Sequence, residues 1–392
     1  MPNAVIVDAV RTPMGKGRAG GALAGVHPVD LLAGVLSALV TRTGIEPGEV
    51  EDILVGCVGQ NLEQSATPGR MAALSAGFPV HVPSVTIERK CGSGQQAVDF
   101  GVQGVMAGTY DMVIAGGVES MSRVPMGSAR GDADPFGPEV QSRFGALVSQ
   151  GVAAELVADK WNISRTALDE YSARSHERAA AAVARGAFDN EIIGVHTEAG
   201  SVDRDESIRA GTTAAKLGEL RAVFGNDANR ERFGHIDWKV TAGNASQITD
   251  GASALLIMSE QKAAALKLKP IARIVASAVI GDDPMLMLTA PIPASRKALA
   301  KAGLSVGDIA SFEVNEAFAS VPLAVAAELG VPDDKLNPVG GAVALGHPLG
   351  ASGARIMTTM INHLAATGGR YGLQTMCEAG GMANATIVES LV

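Results

Sequence analysis

Short apolar, β-branched runs alternate along the first 120 residues with stretches in which Leu, Val, Ala and Met recur at helical spacing. The pattern predicts strands over 5–7, 53–58, 85–87 and 111–115. Helices are predicted over 29–40, 71–76 and from Gln95 onward through Val98, Val102, Val105 and Met106. His27-Pro28 and Gly44 bound the first of these helices. Alternation of this kind indicates an α/β fold whose sheets are buried on both faces. From about 121 to 241 charged residues and polar turns increase, with helices over 152–161 and 167–185 and irregular stretches over 127–138 and 198–209. Irregular length inside a compact protein marks a functional or interface loop region.

The alternation resumes beyond Gly243 and repeats an earlier order. Val50-Glu-Asp-Ile-Leu-Val-Gly-Cys-Val can be laid on Val306-Gly-Asp-Ile-Ala-Ser-Phe-Glu-Val, and the same offset carries Cys91 onto His347. A second pair, Tyr110 to Gly116 on Tyr371 to Cys377, follows at a slightly larger offset. These matches predict a duplicated α/β domain. If its halves pack about a pseudo-two-fold axis, Cys91 and His347 occupy corresponding turns and converge on one site.

Cys91 itself lies in Ser84-Val-Thr-Ile-Glu-Arg-Lys-Cys-Gly-Ser-Gly-Gln-Gln-Ala, at a strand-to-helix turn with glycines beside the sulfur. The free N–H groups of the first helical turn predict a lowered thiol pKa and a stabilised thiolate there. His347 sits in a second glycine-dense stretch, Asn337 to Arg355, held extended by Pro348, with a helix predicted over 351–360. A histidine so presented serves as a base toward a thiol or as a donor to an oxyanion. The third stretch, Gln374-Thr-Met-Cys-Glu-Ala-Gly-Gly-Met, ends a strand in a double-glycine turn before a strand at 386–388. Gly380 and Gly381 free backbone N–H groups there, the donors that an oxyanion hole requires.

Composition narrows the function classes. The chain of 392 residues carries 47% apolar and 4% aromatic residues and a formal net charge of −9, which disfavours nucleic acid. An anionic small ligand needs a basic patch, and Arg204, Arg209, Lys216, Arg221, Arg230, Arg232 and Lys239 supply candidates in the middle region. Cys57, Cys91 and Cys377 are far apart, with no metal-binding or disulfide spacing, which fits a reducing, cytoplasmic setting. No apolar run approaches the ~18 residues of a membrane span, so a soluble protein is expected.

With these stretches in view the chain resembles the thiolase family. The resemblance rests on Cys91 in a Cys-Gly-Ser-Gly turn, Asn315-Glu-Ala-Phe, Gly346-His-Pro-Leu-Gly and Cys377 before the final glycines, in that order, and it extends from the Arg11-Thr-Pro turn to the last strand. It implies a five-layer αβαβα core of two similar halves with an inserted loop domain over the coenzyme A site. The expected division is 1–120, completed by 243–269, for the first half, 121–242 for the loop domain and 270–392 for the second half. A homodimer or homotetramer is implied, with a hydratase/dehydrogenase subunit as a candidate partner and coenzyme A or acyl-CoA as substrate rather than a resident cofactor.

Residue by residue, the resemblance implies Cys91 as acyl-accepting nucleophile, His347 as its activator and Cys377 as acid/base. Backbone N–H groups of Cys91 and Gly380 would hold the acyl oxyanion, and His347 with a water on Asn315 the enolate oxygen. Ser246 matches the family serine near the pantetheine arm and Arg221 an arginine near the nucleotide. Some residues depart from short-chain biosynthetic members: Gln247-Ile-Thr-Asp for Gly-Leu-Asn-Asp, a longer 226–239, and Ser149-Gln150 for a His-Met pair. These favour CoA-dependent cleavage of longer 3-ketoacyl-CoAs, as in β-oxidation, over acetoacetyl-CoA formation. A decarboxylating ketosynthase lacks the second cysteine, and a non-catalytic acyl-CoA or lipid-binding protein needs neither thiol. Glu378 beside Cys377 is also unusual, and the sequence leaves the direction of its effect on that thiol open.

Overall fold

The structure, a computed structural model, describes residues 3–392. In its first part β1 (Ala4–Arg11), β2 (Gly15–Lys16), α1 (Pro28–Thr43), β3 (Asp52–Gly56), α2 (Pro68–Ser75), β4 (Ser84–Ile87), α3 (Ser93–Met106) and β5 (Met112–Ser120) follow in order. The middle region carries α4 (Gly137–Phe144), α5 (Gln150–Lys160), α6 (Arg165–Ala184), the hairpin β6 (Val195–Thr197) and β7 (Gly200–Val202), α7 (Ala214–Gly218) and α8 (Asp227–Arg232). There follow β8 (Thr249–Ser259), α9 (Glu260–Leu266), β9 (Ala272–Gly281), α10 (Pro291–Ala302), β10 (Ile309–Val314), α11 (Ser320–Leu329), α12 (Ala342–Leu345), α13 (Leu349–Thr367), β11 (Tyr371–Glu378) and β12 (Met382–Ser390). Helix α1 illustrates the local logic. The His27 ring accepts from Val29 N–H, Pro28 opens the helix, and Gly44 closes it at φ 68°.

Strand order shows the duplication. In the first half β4, β3 and β5 are parallel neighbours, β8 pairs antiparallel to β5, and β1 antiparallel to β8. In the second half β10 and β11 are parallel, β12 is antiparallel to β11, and β9 antiparallel to β12. The counterpart of β4 is reduced to one parallel bridge between Phe312 and Leu336. The laid-over segments thus fall on topologically equal strands, and each of β3 and β10 follows a 3-10 turn. A single pair, Ile6 with Ala272, joins the halves edge to edge.

Helices α1 and α2 cover the outer face of the first sheet, and α10 and α11 that of the second. Between the sheets lie α3 and α13, with Ala97, Val98, Val102, Ala354, Met357 and Met360 in one apolar cluster. That gives the five αβαβα layers. The middle layer is tight at its N-terminal end. A Cβ at Gly94 would lie 2.6 Å from Gly350 O, one at Gly350 2.6 Å from Cys57 Cα, and one at Gly353 2.2 Å from Gln95 N. The glycine-dense stretches therefore let backbone pack on backbone where the two helices begin.

Two sequence expectations shift. Strand β4 is an edge, with Val85 exposed, rather than a buried strand, because only β3 pairs with it. The strand at 111–115 runs on to Ser120, since β8 pairs along its whole length. Among the described residues no helix is long and apolar enough to cross a membrane.

Candidate active site

Cys91 follows β4 and precedes the first turn of α3. Lys90 takes φ 47°, and the Ser93 hydroxyl accepts from Arg89 N–H at 2.8 Å while donating to Lys90 O at 2.6 Å. These bonds lock the turn that presents the sulfur, which is buried. The expected thiolate is not what the surroundings favour. Burial, then the neighbouring Glu378 carboxyl, pushes the Cys91 thiol up to about 12, outweighing the helix N-terminus. The reason is that Cys91 lies inside the protein with an acid beside it, which the sequence pattern did not reveal.

His347 precedes α13 as Cys91 precedes α3. Gly346, at φ 102°, runs so close to Thr249 that a Cβ there would lie 2.3 Å from its hydroxyl oxygen. The His347 N–H donates to that Thr249 Oγ1 at 2.9 Å, which fixes the backbone. Its Nδ1 lies 2.6 Å from Ser352 Oγ. The Ser352 hydroxyl commits its one proton to Pro348 O at 2.9 Å, so it accepts from the ring and Nδ1 carries the hydrogen. Nε2 is left as a free base, with Asn315 Nδ2 at 3.4 Å. Burial first, and then the nearby Arg355 guanidinium, hold the imidazole down at about 3, so it is neutral. Resting Cys91 and His347 are a thiol and a free imidazole.

Cys377 lies in β11, paired with Ala383, and is buried. Burial, then Cys91, then Glu378 raise its thiol well above the usual range, so the two sulfurs are electrostatically coupled. Gly380 and Gly381 take φ 94° and 79° in the turn to β12, a conformation closed to most side chains. Asn315 follows β10, its N–H donating to Thr375 O at 3.0 Å, and its Oδ1 is buried without a partner among the described residues.

A cavity of about 480 Å³ opens at Cys91, lined among others by Met121, Val124, Met126, Leu349 and Ala379. It brings the Cys91 turn, the residue two beyond His347 and the residue two beyond Cys377 onto one space. Gln150 lines it too. Ser246 is half-buried beside Asn315-Glu-Ala-Phe, its N–H donating to Ala317 O at 3.0 Å. Arg221 is exposed on the turn after α7 and lines none of the cavities described, so the geometry does not join it to Cys91.

Sequence reasoning missed Ser352 and Glu119. The Glu119 carboxylate accepts from Val58 N at 3.0 Å, Gly59 N at 2.9 Å, Gln64 Nε2 at 2.8 Å and Gly350 N at 2.9 Å. It ties the turn after β3 to the head of α13. Its place, an acid at the C-terminal end of a buried strand, was the available signal. Ser352, one turn beyond a histidine on a predicted helix, was equally readable.

Known proteins agree with this architecture. A family model described as "Thiolase, N-terminal domain" matches residues 4–261, and "Thiolase, C-terminal domain" matches 268–390. The chain is 47% identical to the steroid 3-ketoacyl-CoA thiolase FadA6 of Mycobacterium tuberculosis, covering 100% of this chain and 95% of that protein. A 3-ketoacyl-CoA thiolase of Vibrio vulnificus is 44% identical over 99% of this chain and 100% of its own length. The crystal structure of the Bacillus anthracis acetyl-CoA acetyltransferase superposes with a TM-score of 0.88 at 39% identity, covering 100% of this chain and 99% of that one. Duplicated sheets, paired helix heads that carry a cysteine and a histidine, and matches along the whole length agree: this chain belongs to the thiolase family.

Proposed function

We propose that the protein catalyses CoA-dependent thiolytic cleavage of 3-ketoacyl-CoAs, with Cys91 as the acyl carrier. The observation that supports this reading is an apolar cavity that Cys91 shares with Leu349, two residues beyond a neutral His347 whose Nε2 carries no hydrogen. Cys91 Sγ attacks the 3-keto carbon as its proton passes to His347 Nε2. The C2–C3 bond then breaks, its electron pair forming the enolate of acetyl-CoA, and the Cys377 S–H protonates C2. Acetyl-CoA departs and the acyl group stays on Cys91. An incoming CoA thiol gives its proton to the Cys377 thiolate and attacks the acyl carbon, and Cys91 recovers its proton from His347.

Because both thiols start protonated, each deprotonation accompanies bond formation, and donors to the developing oxygens carry much of the barrier lowering. Backbone N–H groups of Cys91 and Gly380 serve the acyl oxyanion, and His347 with a water on Asn315 serves the enolate. Each such donor is worth ~3 kcal/mol in a transition state. Ser246 and Arg221 are assigned to the pantetheine arm and nucleotide of CoA.

The cavity lies within the roughly 300–1,000 Å³ of small-molecule sites, and Met121, Val124 and Met126 make much of its lining apolar. That supports acyl groups larger than acetyl. The domain division at 120, 242 and 270 is retained on the ground that β8 returns the chain to β1 and β5 of the first half. A cytoplasmic homodimer or homotetramer completes the reading, and light scattering of the purified protein measures the assembly. The deciding experiment is thiolysis across a chain-length series of 3-ketoacyl-CoAs, with peptide mass spectrometry of the trapped intermediate. Acylation of Cys91 and preference for longer chains are expected. Absence of acylated Cys91 refutes the assignment, and a preference for acetoacetyl-CoA points to the biosynthetic alternative.

A further inference from the structure

Glu378 is a buried acid that the scheme above leaves without a task. It ends β11 directly after Cys377, is fully buried, and neither carboxyl oxygen has a hydrogen-bond partner among the described residues. Its side chain reaches across the interface between the halves onto the Cys91 turn. A Cβ at Gly92 would lie 2.0 Å from Glu378 Oε1, so the carboxyl rests on the Gly92 backbone. Asn384 frames the same spot, its Nδ2 donating to Gly92 O at 3.0 Å while its Oδ1 has no partner among the described residues.

Several charged groups face this carboxyl. Arg89, on the Cys91 turn, favours its ionised form but makes no ion pair with it among the described residues, and the Asn384 backbone N–H favours that form without reaching hydrogen-bond geometry. Glu88, on the same turn as Arg89, and Asp99, on α3, oppose ionisation. Burial is the largest influence, and the net result raises the carboxyl to about 8. A buried carboxylate without a counterion is costly, and such groups stay protonated instead. Conversely, Glu378 is among the groups that raise both Cys91 and Cys377.

We propose that Glu378 is a positioning residue that gates the thiol pair: lodged between the Cys91 turn and Cys377, its carboxyl holds a proton in the reactive enzyme, and its ionisation suppresses deprotonation of both sulfurs. This rests on the thiolase reading of Cys91 and Cys377 and adds to it. The neutral acid keeps the site free of a fixed negative charge while the acyl oxyanion and the enolate form. Once ionised, it opposes both of these and the thiolates as well. The carboxyl thereby sets an alkaline limit that belongs to neither cysteine.

The test compares wild type with Glu378→Gln, reading the rate of Cys91 alkylation by iodoacetamide and of single-turnover acylation by a 3-ketoacyl-CoA as functions of pH. Glu378→Gln, neutral at every pH, should alkylate about tenfold faster than wild type at about pH 9, the size of a one-unit thiol shift. Its acylation should extend to higher pH, and its melting temperature should stay near that of wild type. Superimposable pH profiles overturn the proposal, because a merely structural side chain would move stability and leave the titration in place. Should Glu378→Gln not fold, Glu378→Ala removes the charge without burying an amide and carries the same expectation. If wild type itself shows no acylated Cys91, the functional reading fails. If Cys91 is acylated but the profiles coincide, the role of Glu378 alone fails.

Discussion

Replacing Ser352 by Ala isolates the contact that sets the protonation pattern of His347. The wild-type hydroxyl accepts from Nδ1–H at 2.6 Å, and nothing else among the described residues partners that hydrogen. Removing it leaves a buried donor unsatisfied, which costs ~1–3 kcal/mol in the tautomer that keeps Nε2 free. At ~1.4 kcal/mol per decade, that shifts the ring toward the other tautomer or another rotamer by roughly 5- to 150-fold. The fold itself loses little, because Pro348 O retains backbone donors from Ala351 at 2.9 Å and Ser352 at 2.8 Å. Single-turnover acylation of Cys91 should therefore slow by about 5- to 150-fold, with substrate KM nearly unchanged and the melting temperature within a few degrees of wild type. Wild-type acylation by Ser352→Ala would refute the tautomer argument. A rate loss matched by a large loss of stability would assign Ser352 to folding instead.

Other consequences follow from particular contacts. Gly350→Ala places a Cβ 2.6 Å from Cys57 Cα and 2.7 Å from Gly56 O, backbone that cannot give way, so denaturant unfolding should show a loss of ~3 kcal/mol or more. Gly92→Ala drives a methyl into Glu378, and a double-mutant cycle with Glu378→Ala should recover part of the loss, whereas additive effects would place the clash elsewhere. Filling the cavity with Met121→Trp should lower kcat/KM for long 3-ketoacyl-CoAs while sparing acetoacetyl-CoA, as read by thiolysis rates. His176 and His347 are held down at about 4 and about 3, by burial first, so the unfolded chain takes up protons below the ordinary 6.5 that the folded one refuses. Stability present above pH 6.5 should thus fall as pH drops toward 4 and then 3, and His176→Gln should flatten the melting temperature profile over that interval. Asp99 and Glu313, raised by burial to about 7 and about 8, act oppositely, because the folded state keeps protons that the unfolded chain gives up as pH rises.

Much of the architecture was legible because it depends on period and repetition. Alternating strands and helices, the laid-over segments and the offset that matches Cys91 to His347 all reappear as equal strands and equal helix heads. The capping of α1 by His27, Pro28 and Gly44 was local chemistry and held without help from the rest of the chain. Strand β4 misled because a β-branched run reads as buried whichever sheet position it takes. Its exposure was settled by having a neighbour on one side alone.

The candidate site divides in the same way. Residue types with strong chemistry and glycines nearby, Cys91, His347 and Cys377, are visible in the sequence by themselves, and Asn315 only through the family resemblance of its Asn-Glu-Ala-Phe stretch. Their charge states are not, because a pKa in a protein interior depends on desolvation and on groups distant along the chain. The sequence placed Cys91 at a helix N-terminus and so predicted a thiolate. The tertiary structure buried it, which keeps the thiol protonated, and set Glu378, far along the chain, against the adjoining Gly92, where its ionised form adds to that effect. Likewise, the sequence determined that a histidine would be presented, while packing of α13 decided through Ser352 which ring nitrogen is the base. Local pattern thus fixes which groups are present and on which element. Only three-dimensional proximity, through burial and the field of neighbouring charges, decides which of them holds a proton.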